Sequence, residues 1–331
     1  VEGQPMQGNS LRDKKIFVTG ANGFVGSALV EQLASIKNYQ VVAPVRREGA
    51  ELAAGVVPVY VEADYLISGE LPLTEVDVVV HCAARVHVMS ETTRDPLREF
   101  RKINVEGTLR LAEQAALAGV KRFVFISSVK VNGELTTLGK PFTADDEPAP
   151  SDPYGISKME AEQQLRLLGL RTGLEIVIIR PVLVYGPGVR ANFRSLMSWV
   201  NKGYPLPLGA VRNKRSLVSL GNLVDLIVTC LEHPGAANQT FMISDDDDMS
   251  TTELLVRMST ALGRRPYLVP VPMSVLLMGT ALLGRRAVGM RLCGSLQVDI
   301  SKTQDLLDWN PPLSVEHALH KSAESFQESI K

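Results

Sequence analysis

Tyr154 and Lys158 stand four residues apart in Tyr154-Gly155-Ile156-Ser157-Lys158. On a helix that spacing puts both side chains on one face. Ser151-Asp152-Pro153 just before them supplies a cap and a proline for the first helical position, so a helix is expected to start at the tyrosine. An ammonium beside a phenol favours the phenolate. The expectation is therefore a Tyr154 hydroxyl drawn down from its ordinary pKa of about 10, usable as a general acid/base. A second constellation lies far upstream, in Thr19-Gly20-Ala21-Asn22-Gly23-Phe24-Val25-Gly26. It follows an apolar run and opens a helical pattern. Glycines there let the backbone turn tightly and approach a pyrophosphate, while the helix N-terminus offers N–H groups and a positive dipole end. Gly20, Asn22, Gly23, Phe24, Val25 and Gly26 are thus expected to hold a dinucleotide.

The elements that must position these groups read as short β-branched runs alternating with longer helical patterns. Strands are expected at 15–19, 39–45, 57–61, 76–81, 122–127 and 175–180, with a return strand at 240–243. Helices are expected at 24–37, 96–118, 154–172 and 223–232. Apolar strands joined by helices imply a parallel sheet covered on both faces, the doubly wound α/β (Rossmann) arrangement. Beyond Tyr185 the pattern loosens. A dinucleotide-binding domain is expected over 11–185 plus about 213–245, with a smaller C-terminal α/β substrate domain over about 186–212 and 246–331. Ser127-Ser128 ends the fifth strand, where open sheets of this kind place ligands.

Composition narrows the class. The 331 residues are 45% hydrophobic and 21% charged, with a formal net charge of −1, which argues against a nucleic-acid-binding chain and against a disordered one. Cys82, Cys230 and Cys293 lie far apart, with no metal spacing and no disulfide framework, and fit a reduced, cytoplasmic compartment. Cys82 reads as a small core residue rather than a nucleophile. Residues 1–10 are irregular and are set aside. The apolar stretch Leu268–Gly284 is broken by Pro270, Pro272 and Gly279 and is too short for a membrane span. It reads as a buried or half-buried helix, with a weak peripheral membrane contact aided by Arg285 and Arg286 as the other reading. Ser250 with Glu253 forms a capping box. The acidic run Asp245–Asp248 before it reads as a solvated loop rather than a metal site.

The motif TGxxGxxG resembles the cofactor loop of the extended short-chain dehydrogenase/reductases, the nucleotide-sugar epimerase, dehydratase and 4-keto-reductase family. Its specific motifs here lie before Pro187. The second strand ends in Arg46-Arg47 rather than in the acidic residue that holds a ribose 2′-hydroxyl. Guanidinium groups suit a 2′-phosphate, so NADP(H) is expected over NAD. The resemblance implies cofactor contacts at Asp64, Tyr65, Ala83, Ala84, Asn104 and Pro181. Matching SSVKVNG to the family's S-S-x-x-V-Y-G implies that Ser128 is the catalytic hydroxyl, with Asn132 in place of the usual Tyr. It also implies a uridine-diphosphate contact at Asn192, a diphosphate contact at Arg215, and a homodimer built from the helices at 96–118 and 154–172. Arg85, His87 and Lys130 are candidates for the sugar pocket or for the surface.

Among the family's reactions, 4,6-dehydration needs acid and base residues directly after the catalytic hydroxyl, and Val129 cannot serve. Epimerases and 4-keto reductases share the Ser–Tyr–Lys set. The arginine pair leads to the expectation of reduction of a UDP-linked 4-keto-6-deoxy-N-acetylhexose. The alternative is a UDP-sugar 4-epimerase, for glucose or N-acetylglucosamine, with tightly held NAD. A non-catalytic cofactor sensor of the same fold and a hydroxysteroid or flavonol-type reductase stand behind these. Retention of Ser128, Tyr154 and Lys158 argues against the first, and Arg215 against the second.

Overall fold

The computed structural model describes residues 13–47, 49–50, 52–86 and 95–330. Seven strands form one parallel sheet: β1 (Lys14–Thr19), β2 (Tyr39–Val45), β3 (Val56–Tyr60), β4 (Val78–His81), β5 (Arg122–Ile126), β6 (Glu175–Pro181) and β9 (Thr240–Ile243). Their order is β3-β2-β1-β4-β5-β6-β9, and every pairing is parallel. β4 and β5 are buried throughout because helices cover both faces. α1 (Phe24–Ser35) and α6 (Leu220–Glu232) pack against one face through Leu29, Leu33, Leu223 and Ile227. α3 (Thr108–Leu117) and α4 (Pro153–Thr172) cover the other through Leu111, Ala115, Ala161 and Leu165. Strand order reverses between β1 and β4, and at such a switch point the carboxyl ends of the strands open a ligand crevice.

The helix expected over 96–118 is present but not continuous. α2 (Pro96–Arg101), capped by Asp95, runs into a π-helical segment, Lys102–Gly107, before α3. Such wide turns cluster at functional sites, and this one carries Asn104.

Downstream, β7 (Leu183–Tyr185) and β8 (Leu217–Ser219) make a separate parallel pair. α5 (Ala191–Asn201), α7 (Thr251–Ala261) and α11 (Val315–Glu328) enclose a second core around Phe193, Met197, Leu255 and Leu319. α7 begins at the expected capping box: Glu253 N donates to Ser250 Oγ at 3.0 Å, and Ser250 N donates to Glu253 Oε2 at 2.7 Å. The Leu268–Gly284 stretch forms α8 (Met273–Leu282), followed by α9 (Arg286–Cys293) and α10 (Ser301–Leu307). Among the described residues, no helix is long and apolar enough to cross a membrane.

The acidic run is more structural than a solvated loop. Asp245 accepts from Tyr185 Oη at 2.8 Å, Ser219 N at 2.8 Å and Asn222 Nδ2 at 2.7 Å. Asp248 accepts from Ser216 Oγ and Gln297 Nε2. These carboxylates tie β8 and the 295–298 segment together. Among the described residues no group of His, Cys, Asp and Glu could hold a metal ion.

Candidate active site

The glycine loop is shaped by close approach. Gly20 has a φ of +71°, and a Cβ there would come within 2.8 Å of Ala83 N. A Cβ on Gly26 would lie 2.1 Å from Gly20 O, so only glycine lets α1 begin this close to β1. Gly23 N donates back to Gly20 O at 2.8 Å, closing the turn. α1 has no side-chain cap and no acidic residue in its first turn. α4, α6, α7 and α11 each have a capping side chain, from Asp152, Ser219, Ser250 and Ser314. An unfilled cradle of first-turn N–H groups at a helix N-terminus suits a pyrophosphate. Asn22 and Gly23 are exposed, Phe24 and Val25 half-buried, and Gly26 buried. This donor set fits a dinucleotide.

Beside the loop, Thr19 and His81 are paired across β1 and β4. His81 Nδ1 meets Thr19 Oγ1 at 2.7 Å, His81 Nε2 meets Thr108 Oγ1 at 2.9 Å, and Ala83 N donates to Thr19 Oγ1 at 3.2 Å. Burial, reinforced by Lys158, pushes the imidazole down to about 3, so it stays neutral and acts as a strut. Sequence reasoning missed it. Its only signal is a polar residue ending a fully apolar strand. Burial also pushes the Cys82 thiol up to about 12, in keeping with a core role.

Asn104 is the hub of the next layer. Its Oδ1 accepts from Arg85 N at 2.8 Å, and its Nδ2 donates to Arg85 O at 3.0 Å and to Ser157 Oγ at 3.0 Å. The side chain expected to touch a cofactor thus clamps the segment after β4 onto α4. Ala83, Ala84 and Arg85 are half-buried there, and His87 lies outside the described residues. Pro181 is buried at the end of β6, paired with Ile243. Arg46 and Arg47 are exposed just past β2. Tyr65 is buried, which pushes its hydroxyl up to about 12, with the charge of Arg46 acting against that rise. Asp64 is exposed and accepts from Ser68 Oγ at 2.7 Å.

α4 starts at Pro153, capped by Asp152, whose Oδ1 accepts from Gly155 N at 2.6 Å. That start sets Tyr154 at the mouth of the sheet, edge-on to Phe100 at 6.1 Å. One turn on, Lys158 is buried. Its Nζ donates to Ile126 O at 2.8 Å and sits 4.3 Å over the Phe125 ring. The expected lowering of the phenol is not found. Burial and the Asp152 carboxylate push the Tyr154 hydroxyl above its ordinary value. The amine is aimed at a backbone carbonyl and stands 6.0 Å from the tyrosine ring centroid. Burial instead lowers Lys158 itself to about 8.

Ser127 and Ser128 are separated by burial. Ser127 Oγ donates to Glu162 Oε1 at 2.5 Å inside the protein. Ser128 is half-buried at the end of β5, caps a short 3₁₀ turn (Val129–Val131) and accepts from Lys130 N at 3.2 Å. Below them Arg180 forks onto Glu162, 2.6 and 2.9 Å between heavy atoms, with both residues buried. Arg180 Nη1 also donates to Asn132 Oδ1 at 3.0 Å. Asn132, the departure from the family pattern, thus belongs to a buried ion-pair network that fixes β5, β6 and α4. Glu162 is one turn beyond Lys158, so the spacing puts both on one face of α4 but names neither Arg180 nor Ser127 as its partner.

The residues expected at the substrate are more dispersed. Lys130 Nζ pairs with Asp152 and lies 3.6 Å from Glu134. Asn192 is exposed in the first turn of α5, next to Ala191 with a φ of +53°. Arg215 Nη1 donates to Arg291 O at 2.9 Å and Gly294 O at 3.1 Å, and burial lowers its pKa.

Compared with known proteins, the profile described as the NAD dependent epimerase/dehydratase family matches residues 16–244. The chain is 47% identical over 323 residues to a UDP-glucose 4-epimerase of Vibrio cholerae, covering 96% of this chain and 97% of that one. A solved UDP-glucuronic acid 4-epimerase from Bacillus cereus, in complex with NAD, has a TM-score of 0.75 at 23% identity and covers 96% of this chain and 100% of its own. RMD from Pseudomonas aeruginosa, complexed with NADPH, has a TM-score of 0.72 at 22% identity, covering 95% and 99%. Those two structures share the fold. The glycine cradle, the capped Tyr–Lys helix and the match over the sheet place this chain in the NAD-dependent epimerase/dehydratase family, among the extended short-chain dehydrogenase/reductases.

Proposed function

We propose that the protein is a nucleotide-sugar 4-epimerase that inverts C4 of a UDP-linked hexose, with UDP-glucose the first candidate and UDP-N-acetylglucosamine the second. The observation that carries this reading is 47% identity along nearly the whole length of a UDP-glucose 4-epimerase, with Ser128, Tyr154 and Lys158 all present. It displaces the expectation of net 4-keto reduction as the preferred reading. An NAD held by the glycine loop and the uncapped N-terminus of α1 would supply the hydride acceptor and then the hydride donor at C4. Tyr154 Oη takes the proton of the 4-hydroxyl and later returns it, so that neither residue nor cofactor is consumed. Ser128 Oγ accepts from Lys130 N, which leaves its own proton for the sugar oxygen. Burial and the Asp152 charge oppose ionisation of Tyr154, and Lys158, its Nζ 6.0 Å from the tyrosine ring centroid, is assigned as the cation that favours the phenolate during turnover. Arg215, its Nη1 fixed by two carbonyls, and Asn192 are assigned to the uridine diphosphate.

The exposed Arg46-Arg47 pair favours a second reading, an NADPH-consuming 4-keto reductase. Exposed Leu117 on α3 and Leu167 and Leu170 on α4 support the expected homodimer. The decisive experiment incubates the purified protein with UDP-glucose or UDP-N-acetylglucosamine and follows the C4 epimer by chromatography. Epimer formation with no net change in cofactor redox state is expected. Stoichiometric oxidation of NADPH by a 4-keto sugar nucleotide, with no epimerisation, would replace this reading with the reductase.

A further inference from the structure

Between Glu253 and Asp299 the chain has no Asp, Glu or Lys, and its charges are arginines alone, in a protein whose formal net charge is −1. Arg257 is neutralised by Asp247 and Glu316. Arg264, Arg265, Arg285, Arg286 and Arg291 are exposed, and no carboxylate pairs with any of them among the described residues.

Between these arginines lies α8. Its inner side, Met273, Leu276 and Leu277, packs on the second core. Its outer side is also apolar. Val275, Met278 and Leu282 recur at helical spacing and, with Leu283, are 47%, 60%, 82% and 77% exposed, respectively. A surface helix ordinarily turns a polar face to water, and a contiguous apolar face marks an interaction site. α9 crosses so close that a Cβ on Gly289 would lie 2.1 Å from Thr280 Oγ1, which fixes the Leu282–Arg286 corner. Leu206 N donates to Tyr267 O at 2.9 Å, setting the segment after α5 against the segment leading into α8. Exposed Tyr204 and Tyr267 lie on these adjoining segments, and exposed Trp199 lies in the last turn of α5. Trp and Tyr favour the level of lipid headgroups.

We propose that the α8–α9 hairpin docks the protein on an anionic bilayer surface. Leu282, Leu283, Met278 and Val275 enter the boundary between headgroups and acyl chains, and Arg285 and Arg286 meet lipid phosphates. Charge selects this occupant. A second copy across a two-fold axis would set the same arginines against themselves, whereas an anionic leaflet offers each guanidinium a phosphate. The ten residues of α8 are too few to span a bilayer, so the helix lies in its surface.

The test is flotation of the full chain with phosphatidylglycerol-containing vesicles and with pure phosphatidylcholine vesicles, at low and high salt. The protein is expected to float with the anionic vesicles. Leu282→Glu/Leu283→Glu should weaken that binding about tenfold or more, and high salt should also weaken it. Circular dichroism shows whether the variant keeps its fold, and Met278→Gln is the milder substitute if it does not. Protein left unbound by anionic vesicles overturns the proposal, and so does binding that the folded variant retains in full. A parent that sediments as a larger oligomer than the variant gives the face to a second copy and likewise overturns it.

Discussion

Two helix N-termini face the same crevice and are built in opposite ways. α1 opens on glycines, without a capping side chain or an acidic first turn. α4 opens on Asp152 and Pro153, with its first-turn amide satisfied by the Asp152 carboxylate and that carboxylate tied to Lys130. The first leaves its dipole end and first-turn N–H groups without a capping side chain. The second satisfies its own and spends its rigidity on aiming Tyr154 and Lys158. One fold thus leaves the same element end uncapped in one place, as the proposed cofactor site, and builds it as a mount in another.

The sharpest way to break this contrast is to disable each end separately. Tyr154→Phe should reduce kcat about a thousandfold while calorimetry shows dinucleotide binding unchanged. Turnover that survives would remove the acid/base assignment. Gly26→Val should do the reverse. With its Cβ forced onto Gly20 O, dinucleotide affinity should fall on the order of a hundredfold. Equal binding by the variant would mean that α1 does not hold the cofactor.

The mount also stores strain that titration can expose. Lys158 is held at about 8 against an ordinary 10.5. Between those values the unfolded chain binds more protons than the native one, so native stability rises as pH climbs from about 8 to 10.5. Below that window the buried ammonium is a standing cost. Lys158→Met should therefore be inactive yet about 2 kcal/mol more stable at pH 7, after allowing for the lost bond to Ile126 O. That advantage should vanish by pH 10.5 in denaturant melts. Asp152→Ala carries the smallest effect. Loss of the cap should cost about 1 kcal/mol by chemical denaturation, with a modest drop in kcat as the tyrosine loosens.

Much of this was legible in the residues. β-branched runs and helical periods placed the sheet strands to within a residue or two, because strands buried on both faces have little compositional freedom. The glycine loop was legible because steric exclusion at Gly20 and Gly26 admits one residue type. The π-helical segment at Lys102–Gly107 was not, since it interrupts a pattern that reads as one helix. The direction of the Tyr154 shift was misread for a related reason. Spacing shows that a lysine shares a face with the tyrosine, but not that its amine points at Ile126 O or that Asp152 stands nearer in effect.

By itself, then, the sequence determined the placing of the sheet strands, the glycine cradle and the capped start of the helix that carries Tyr154 and Lys158, all properties of short segments governed by local sterics and periodicity. Only the tertiary structure decided that Ser127 is locked onto Glu162 while Ser128 is left at the crevice, that Asn104 clamps Arg85 rather than merely lining the site, and that α8 keeps an apolar face outward. Those outcomes depend on which distant segments meet, and burial and hydrogen-bond partners exist only once they do.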